Sequence, residues 1–177
     1  MNKFVKDSRS QQKPSFLMLV GLPYSGKSHL VKTLGLDKDY TIISSDLIIL
    51  EWAVERESTY NEIFKECVDA AQKESVRRML EAFKQNKNVL VDQTNLTKAS
   101  RSRKLRLVPP DYKKTCIIIP SPTKEELEIR KQERNTHKVP DSVLNQMELI
   151  YQKPELDEGF DTIYYAGFDD IIITKET

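Results

Sequence analysis

Cysteine, histidine and glycine are scarce in this chain: 177 residues hold two cysteines, two histidines and five glycines. Cys67 falls in a helical pattern and Cys116 in an apolar run, so both are expected to be reduced and buried. Their separation fits no metal-ligand spacing. Neither His29 nor His137 has a recognisable partner, and neither imidazole receives a role. No apolar run approaches the ~18 residues of a membrane span, and no apolar signal segment follows Met1. A soluble, cytoplasmic-type protein is expected, with a nuclear or organellar address left open. There is no excess of either charge, since 28 Lys and Arg against 27 Asp and Glu give a net charge of +1. A global field that would draw in a polyanion is therefore excluded, and any nucleic-acid surface must be local. No internal repeat and no second domain stand out, and the length suits one domain with a substantial core.

What is present is organised around Gly21-Leu22-Pro23-Tyr24-Ser25-Gly26-Lys27-Ser28, which fits G-x-x-x-x-G-K-[ST]. Phe16 to Val20 before it reads as a buried strand, and Leu30, Val31 and Leu34 after it recur at helical spacing. Gly21 and Gly26 let the backbone curl so that successive N–H groups face inward and form a nest for phosphate oxygens. Lys27 then reaches the β- and γ-phosphates, and the Ser28 hydroxyl holds Mg²⁺. The loop from Gly21 through His29 is the expected nucleotide-binding segment. A glycine-bearing turn with a chance Lys-Ser is the bland alternative.

Along the rest of the chain, residues 1–15 read as a disordered tail and residues 16–177 as the domain. Gly35 is a natural left-handed helix cap. Tyr40 to Asp46 reads as a second strand that brings Asp46 to its carboxyl end, where open α/β sheets bind ligands. Asp46 is either a chemical group there or the N-cap of a helix running from Leu47 to Glu55. Thr59 to Lys84 is a long amphipathic helix. Val89 to Val91 is a third strand closed by Asp92-Gln93-Thr94-Asn95, and Asp92 is the candidate partner of hydrated Mg²⁺ or else a turn residue. Lys98, Arg101, Arg103, Lys104 and Arg106 follow with no acidic residue among them. They form either a solvated face or a local phosphate-backbone site, and no aromatic side chain is present for stacking. Thr115 to Ile119 is a fourth strand. Thr123 to Glu126 has the form of a capping box, opening a helix on which Arg130 and Arg134 share a face. Arg130 has Glu126 one turn earlier as an alternative partner. Beyond Pro140 comes a helix with Val143, Leu144, Met147, Ile150 and Tyr151 on one face. Asp161 to Tyr165 and Ile171 to Ile173 are expected as closing strands.

Four of these features together resemble the 5′-kinase domain of the polynucleotide kinase-phosphatase family: Gly21 to Ser28, Ser45-Asp46, Asp92-Gln93-Thr94-Asn95, and Arg130 to Arg134 with Val139-Pro140 behind. The resemblance runs from about Phe16 to Tyr165. It implies an α/β fold of the P-loop NTPase kind, a three-layer sandwich with a mainly parallel central sheet and a helical lid. It implies Asp46 as general base, Lys27 and Ser28 on the donor phosphates and metal, and Arg134 with Arg130 as lid arginines. It also places Thr94, with Asn95 beside it, at the acceptor's phosphate. The chain departs from that family in having Ser44-Ser45-Asp46 where Asn-Arg-Asp is usual, and Ile49 where an arginine three residues after the base touches substrate. The family's phosphatase half has no counterpart in these residues. The Asp92–Asn95 segment also resembles the P-loop domain of the heterogeneous nuclear ribonucleoprotein U group, which are RNA-binding proteins.

The leading expectation is an ATP- and Mg²⁺-dependent kinase that phosphorylates a hydroxyl of a nucleic acid, most simply a 5′-OH end. Arg101 and Arg103 are then the nearest cations for the strand. The alternatives are a kinase acting on a small molecule or on a modified base, and a nucleotide-dependent RNA-binding module without transferase activity.

Overall fold

The computed structural model describes residues 13–133 and 138–167 in full and the backbone of 173–175. The first strand is apolar on both sides, and that decides the architecture. In β1 (Ser15–Val20), Phe16, Met18 and Val20 belong to one core cluster and Leu17 and Leu19 to another. A strand apolar at every position from Phe16 to Val20 must be covered on both faces, which is the layering of a parallel sheet with helices above and below.

The flanking elements supply those covers. On the Leu17 face lie Leu30 and Val31 of α1 (Lys27–Thr33) and Leu36 of α2 (Leu36–Asp39). On the Phe16 face lie Met79, Ala82 and Phe83 of α4 (Tyr60–Lys84) and Leu105 of α5 (Lys98–Leu105). The six-stranded sheet adds β2 (Thr41–Ile43), β3 (Val89–Val91), β4 (Lys113–Ile118), β5 (Thr162–Ala166) and β6 (Ile173–Lys175) in the order β2-β3-β1-β4-β5-β6. The first five strands are parallel and β6 is antiparallel to β5. This is the three-layer P-loop fold expected. Helix α3 (Ser45–Glu55) packs on α4 through a separate cluster that includes Ile48, Ile49, Ala53, Tyr60 and Ile63. Helices α6 (Lys124–Glu133) and α7 (Asp141–Leu149) follow β4. Among the described residues no helix is long and apolar enough to cross a membrane.

Several boundaries differ from expectation for identifiable reasons. The first strand opens at Ser15, within the expected tail, because the Ser15 N–H donates to Asn88 Oδ1 at 2.9 Å and Lys113 N–H to the Pro14 carbonyl at 2.9 Å. β4 starts at Lys113 instead of Thr115 because its first residues pair with Ser15 and Phe16 whatever their polarity. α7 ends at Leu149, so Ile150 and Tyr151 lie beyond the helix and are exposed, and Leu144 is its buried residue. The closing strands sit one or two residues later than expected, at Thr162–Ala166 and Ile173–Lys175.

A buried cation ties the segments near the sheet edge together. Arg101 on α5 is 0% exposed and forks onto Glu158 through Nε at 2.8 Å and Nη2 at 2.7 Å. Its Nη1 donates to the carbonyls of Asn95 (3.1 Å), Leu96 (3.2 Å) and Gln152 (2.8 Å). Arg101→Met is expected to cost ~3–5 kcal/mol, because Glu158 is left as a buried unpaired charge. Arg101→Met with Glu158→Leu should recover only part of that, since the three carbonyls still lack their donor. Urea unfolding followed by circular dichroism measures both; full recovery in the double variant would show that the carbonyl contacts contribute nothing.

Candidate active site

β2, β3 and β1 are neighbours in that order and all parallel, so their carboxyl ends meet at one edge of the sheet. β1 runs into the loop Gly21 to Gly26, β3 into Asp92, and β2 into the first turn of α3, where Asp46 lies.

The loop is shaped by close approach and by left-handed backbone. A Cβ on Gly21 would meet Ser25 Oγ at 2.8 Å and the Ile119 carbonyl at 2.9 Å, so no side chain fits there. Gly26, at φ 95°, caps α1 in a conformation that side chains resist. Leu22, Tyr24 and Ser25 are buried and Pro23 is half-buried, so these residues shape the loop by packing inward. The first helical bond runs from Leu30 N–H to the Gly26 carbonyl, and the N–H groups ahead of it precede the helical ladder. Lys27 Nζ donates to the Gly21 carbonyl at 2.9 Å and the Leu22 carbonyl at 2.6 Å, with Ser25 Oγ at 3.5 Å. The ammonium is thus held at the mouth of the loop, where a seated anion competes for its protons. His29 is exposed, and its ring lies against Thr33 Oγ1 at 3.3 Å, along α1.

Ser28 Oγ donates to Asp92 Oδ2 at 3.2 Å. Burial pushes the Asp92 carboxyl up; the Lys27 charge and the Ser28 hydroxyl oppose this, and the Asp46 charge adds to it. Lys27, Ser28, Asp46 and Asp92 therefore form one electrostatic unit. A hydroxyl and a carboxylate are hard oxygen donors, and Mg²⁺ is commonly held by one or two such groups, with phosphates and water completing the set. Among the described residues no group of three or more His, Cys, Asp or Glu could hold a metal by itself. The pair Ser28 and Asp92 fits Mg²⁺ shared with a nucleotide.

Asp46 is exposed and is not the helix cap. Ser44 takes that position, its Oγ accepting from Leu47 N–H at 3.4 Å, and Asp46 stands within the first turn of α3. Its Oδ1 accepts from the Tyr60 hydroxyl at 2.8 Å. From α6, Arg130 Nη1 donates to the Tyr24 carbonyl at 2.8 Å and would lie 3.7 Å from a Cβ on Gly26. Arg130 keeps Glu126 as a looser partner at 3.7 Å. Arg134 lies outside the described residues.

The residues expected at the acceptor divide. Thr94 is half-buried, and its carbonyl accepts from Gly21 N–H at 3.1 Å. Asn95 is buried at φ 50° and donates to the Leu19 and Gln93 carbonyls at 2.7 and 3.1 Å, so it serves the fold and not a substrate. Arg101 is corrected likewise, being sealed in the core against Glu158. Lys104 donates to Asn95 Oδ1 at 2.8 Å, and Lys98 pairs with Asp157 at 3.3 Å and Glu155 at 3.6 Å. The continuous basic strip is therefore absent; Arg103 and Arg106 are the exposed remainder. Tyr60 and the Tyr24 contacts were missed from sequence. The Thr59-x-x-Glu62 capping box was the available signal for Tyr60, because it fixes that tyrosine as the first residue of α4.

Residues 16–154 match the AAA domain family. The chain belongs to that family. Its curated relatives include heterogeneous nuclear ribonucleoprotein U-like protein 2 of Mus musculus, 22% identical over 161 residues, which cover 86% of this chain and 22% of that protein. The Homo sapiens protein is equally identical, and 21% of it is covered. The chain thus spans about a fifth of the length of these relatives. Among solved structures, a chain from the PezAT toxin-antitoxin system of Streptococcus pneumoniae superposes with TM-score 0.65 at 17% identity, covering 93% of this chain and 71% of that one. A gluconokinase of Sinorhizobium meliloti gives 0.55 at 16%, covering 88% and 83%. A chain of the Pnkp1/Rnl/Hen1 RNA repair complex gives 0.58 at 18%, covering 78% and 44%. At these identities the structures establish a shared P-loop kinase-like fold.

Lys104 supplies a pH signature. Burial, with the Arg103 charge beside it, pushes its ammonium down to about 8, against ~10.4 in an unfolded chain. Between those values the unfolded state holds the proton and the folded state has released it, so stability rises with pH. The rise should be at most about 1.4 kcal/mol per pH unit. Burial raises the Tyr40, Tyr112 and Tyr151 phenols, which favours the folded state's proton at higher pH and reverses the trend. Urea midpoints between about pH 7.5 and 9.5 should therefore climb in the wild type and stay flat in Lys104→Met; parallel curves would count against a depressed Lys104.

Proposed function

We propose that this protein is an ATP-dependent phosphotransferase acting on a hydroxyl, with a 5′-OH end of a nucleic acid as its acceptor. The observation that carries the reading is an exposed Asp46, braced by Tyr60, at the same sheet edge as Lys27, Ser28 and Asp92. In this reading the loop amides and Lys27 hold the donor phosphates. Mg²⁺ held by Ser28 and Asp92 would neutralise charge on those phosphates. Asp46 accepts the proton of the acceptor hydroxyl as its oxygen bonds to the γ-phosphorus and the bond to the ADP oxygen breaks. Arg130, over the loop, and Arg134 are the proposed lid cations. The transfer needs little covalent help from the protein, so positioning and charge stabilisation account for most of the rate.

A nucleic-acid acceptor is supported by the relatives named ribonucleoprotein, by the RNA repair complex among the folds, and by the half-buried Thr94 beside the loop. The internal use of Arg101, Lys104 and Lys98 restricts how a strand is held: at its end, with Arg103 and Arg106 as the supplementary cations. The same observation favours a second reading, a kinase whose acceptor is a small hydroxyl compound. A nucleotide-dependent RNA-binding module without transfer is the third.

Labelled ATP offered with a 5′-OH oligonucleotide, its 5′-phosphorylated twin and small polyols separates all three. Transfer to the 5′-OH strand alone is expected. Lys27→Ala should abolish turnover and weaken ATP binding, while Asp46→Asn should collapse transfer with ATP binding near normal. Two phosphate contacts give a log–log salt slope of about −1.4 on single strands, and Arg103→Ala with Arg106→Ala should flatten it. Transfer only to polyols would establish the second reading, and ATP-dependent RNA binding without transfer the third.

A further inference from the structure

We propose that Tyr60 is the positioning residue of Asp46, fixing which carboxylate oxygen receives the acceptor's proton; this rests on the reading of Asp46 as general base. The phenol donates to Oδ1 at 2.8 Å, and among the described residues it is the carboxylate's hydrogen-bond partner. Oδ1 is thereby engaged, and Oδ2 is the oxygen left to accept from the incoming hydroxyl. An exposed aspartate in a first helical turn otherwise samples several side-chain rotamers. A charge-assisted bond from a fixed donor selects one of them.

Tyr60 is a fixed donor. It is 7% exposed and packs in the α3–α4 cluster with Ile48, Ile49 and Ala53. It is the first residue of α4, directly after Thr59, whose capping box with Glu62 closes through Thr59 N–H to Glu62 Oε2 at 2.7 Å. Its ring stacks on Phe64 one turn later, with centroids 5.4 Å apart and planes at 25°. The bond therefore spans two helices and transfers the rigidity of their interface to the carboxylate. The neighbouring sequence shows why the partner comes from α4. Ile49, one turn after Asp46 on its own helix, is 0% exposed and spent on the core, so α3 offers no polar group there. Lys27 and Asp92 are the other charges at this corner, and the Asp92 carboxyl is pushed up by burial and, to a smaller extent, by Asp46.

The test is a double-mutant cycle on transfer to the acceptor that the wild type uses. Tyr60→Phe keeps the ring, its stack and its packing and removes the hydroxyl. We expect kcat to fall ~10–100-fold, in line with the cost of misplacing a reacting group, with KM for ATP and nucleotide affinity unchanged. In an Asp46→Asn background the same change should leave the residual rate unaltered, because there is no carboxylate to position. Should Tyr60→Phe lower stability, the rates are compared at a temperature where melting curves show every variant folded. An unchanged kcat, or an equal loss in both backgrounds, would show that Tyr60 is a packing residue and overturn the inference. A wild type that transfers to no hydroxyl, or an Asp46→Asn variant at full rate, removes the underlying reading instead. Either result is visible before any Tyr60 variant is made.

Discussion

The site depends on a backbone knot between two parallel strands. Gly21 N–H donates to the Thr94 carbonyl at 3.1 Å, and Asn95 Nδ2 to the Leu19 carbonyl at 2.7 Å. These bonds extend the β1–β3 pairing past the end of the ladder, so the phosphate loop and the segment carrying Asp92 leave the sheet as one piece. Asn95 makes the second of them from φ 50°, a conformation asparagine tolerates better than most residues. Everything around it holds it there: Lys104 donates to its Oδ1, and Arg101 donates to its carbonyl and to that of Leu96. Ser28, on the helix that follows β1, and Asp92, just past β3, meet at 3.2 Å because the two strands behind them are held together.

Seen from that knot, the basic run of α5 has a different meaning from the one its composition suggests. A buried cation is tolerated where carboxylates and carbonyls surround it, and Arg101 has both. Its partner Glu158 stands 57 positions later in a three-residue turn, Leu156–Glu158. No local pattern shows a pairing at that separation, and this is why a charge run without nearby acids read as a candidate binding strip. The acids that neutralise it arrive from elsewhere in the chain, Asp157 and Glu155 for Lys98 and Glu158 for Arg101.

What was legible in the sequence follows the same division. The apolar runs Phe16 to Val20 and Val89 to Val91, the glycine pair of the loop and the Thr123–Glu126 box act through neighbours in sequence, and each appears where its local chemistry puts it. Asp92 was legible too, because an acidic residue closing an apolar strand has a fixed place in a parallel sheet. Asp46 was ambiguous between cap and chemistry, and the cap proved to be Ser44, one turn of geometry that residue type alone does not settle. The contacts of Tyr60 and Arg101 cross between elements and had no local signature.

Tyr24 connects the loop to α6 and to the residues ahead of α7. It holds φ 64°, a region that costs a residue with a Cβ roughly 1–2 kcal/mol. Such strain persists only where the surroundings over-determine the conformation, and here both ends of the residue are occupied. Its carbonyl accepts from Arg130 on α6 at 2.8 Å, and its hydroxyl accepts from Val139 N–H, ahead of α7, at 2.9 Å. Tyr24 thereby holds both Arg130 of α6 and the backbone at Val139. Movement of the loop at Tyr24 and movement of α6 at Arg130 cannot then be independent. A shift of the Tyr24 carbonyl carries Arg130 with it, and a glycine at this position would relax the backbone but lose the anchor at Val139. The left-handed tyrosine makes sense as the residue that trades local strain for that second contact.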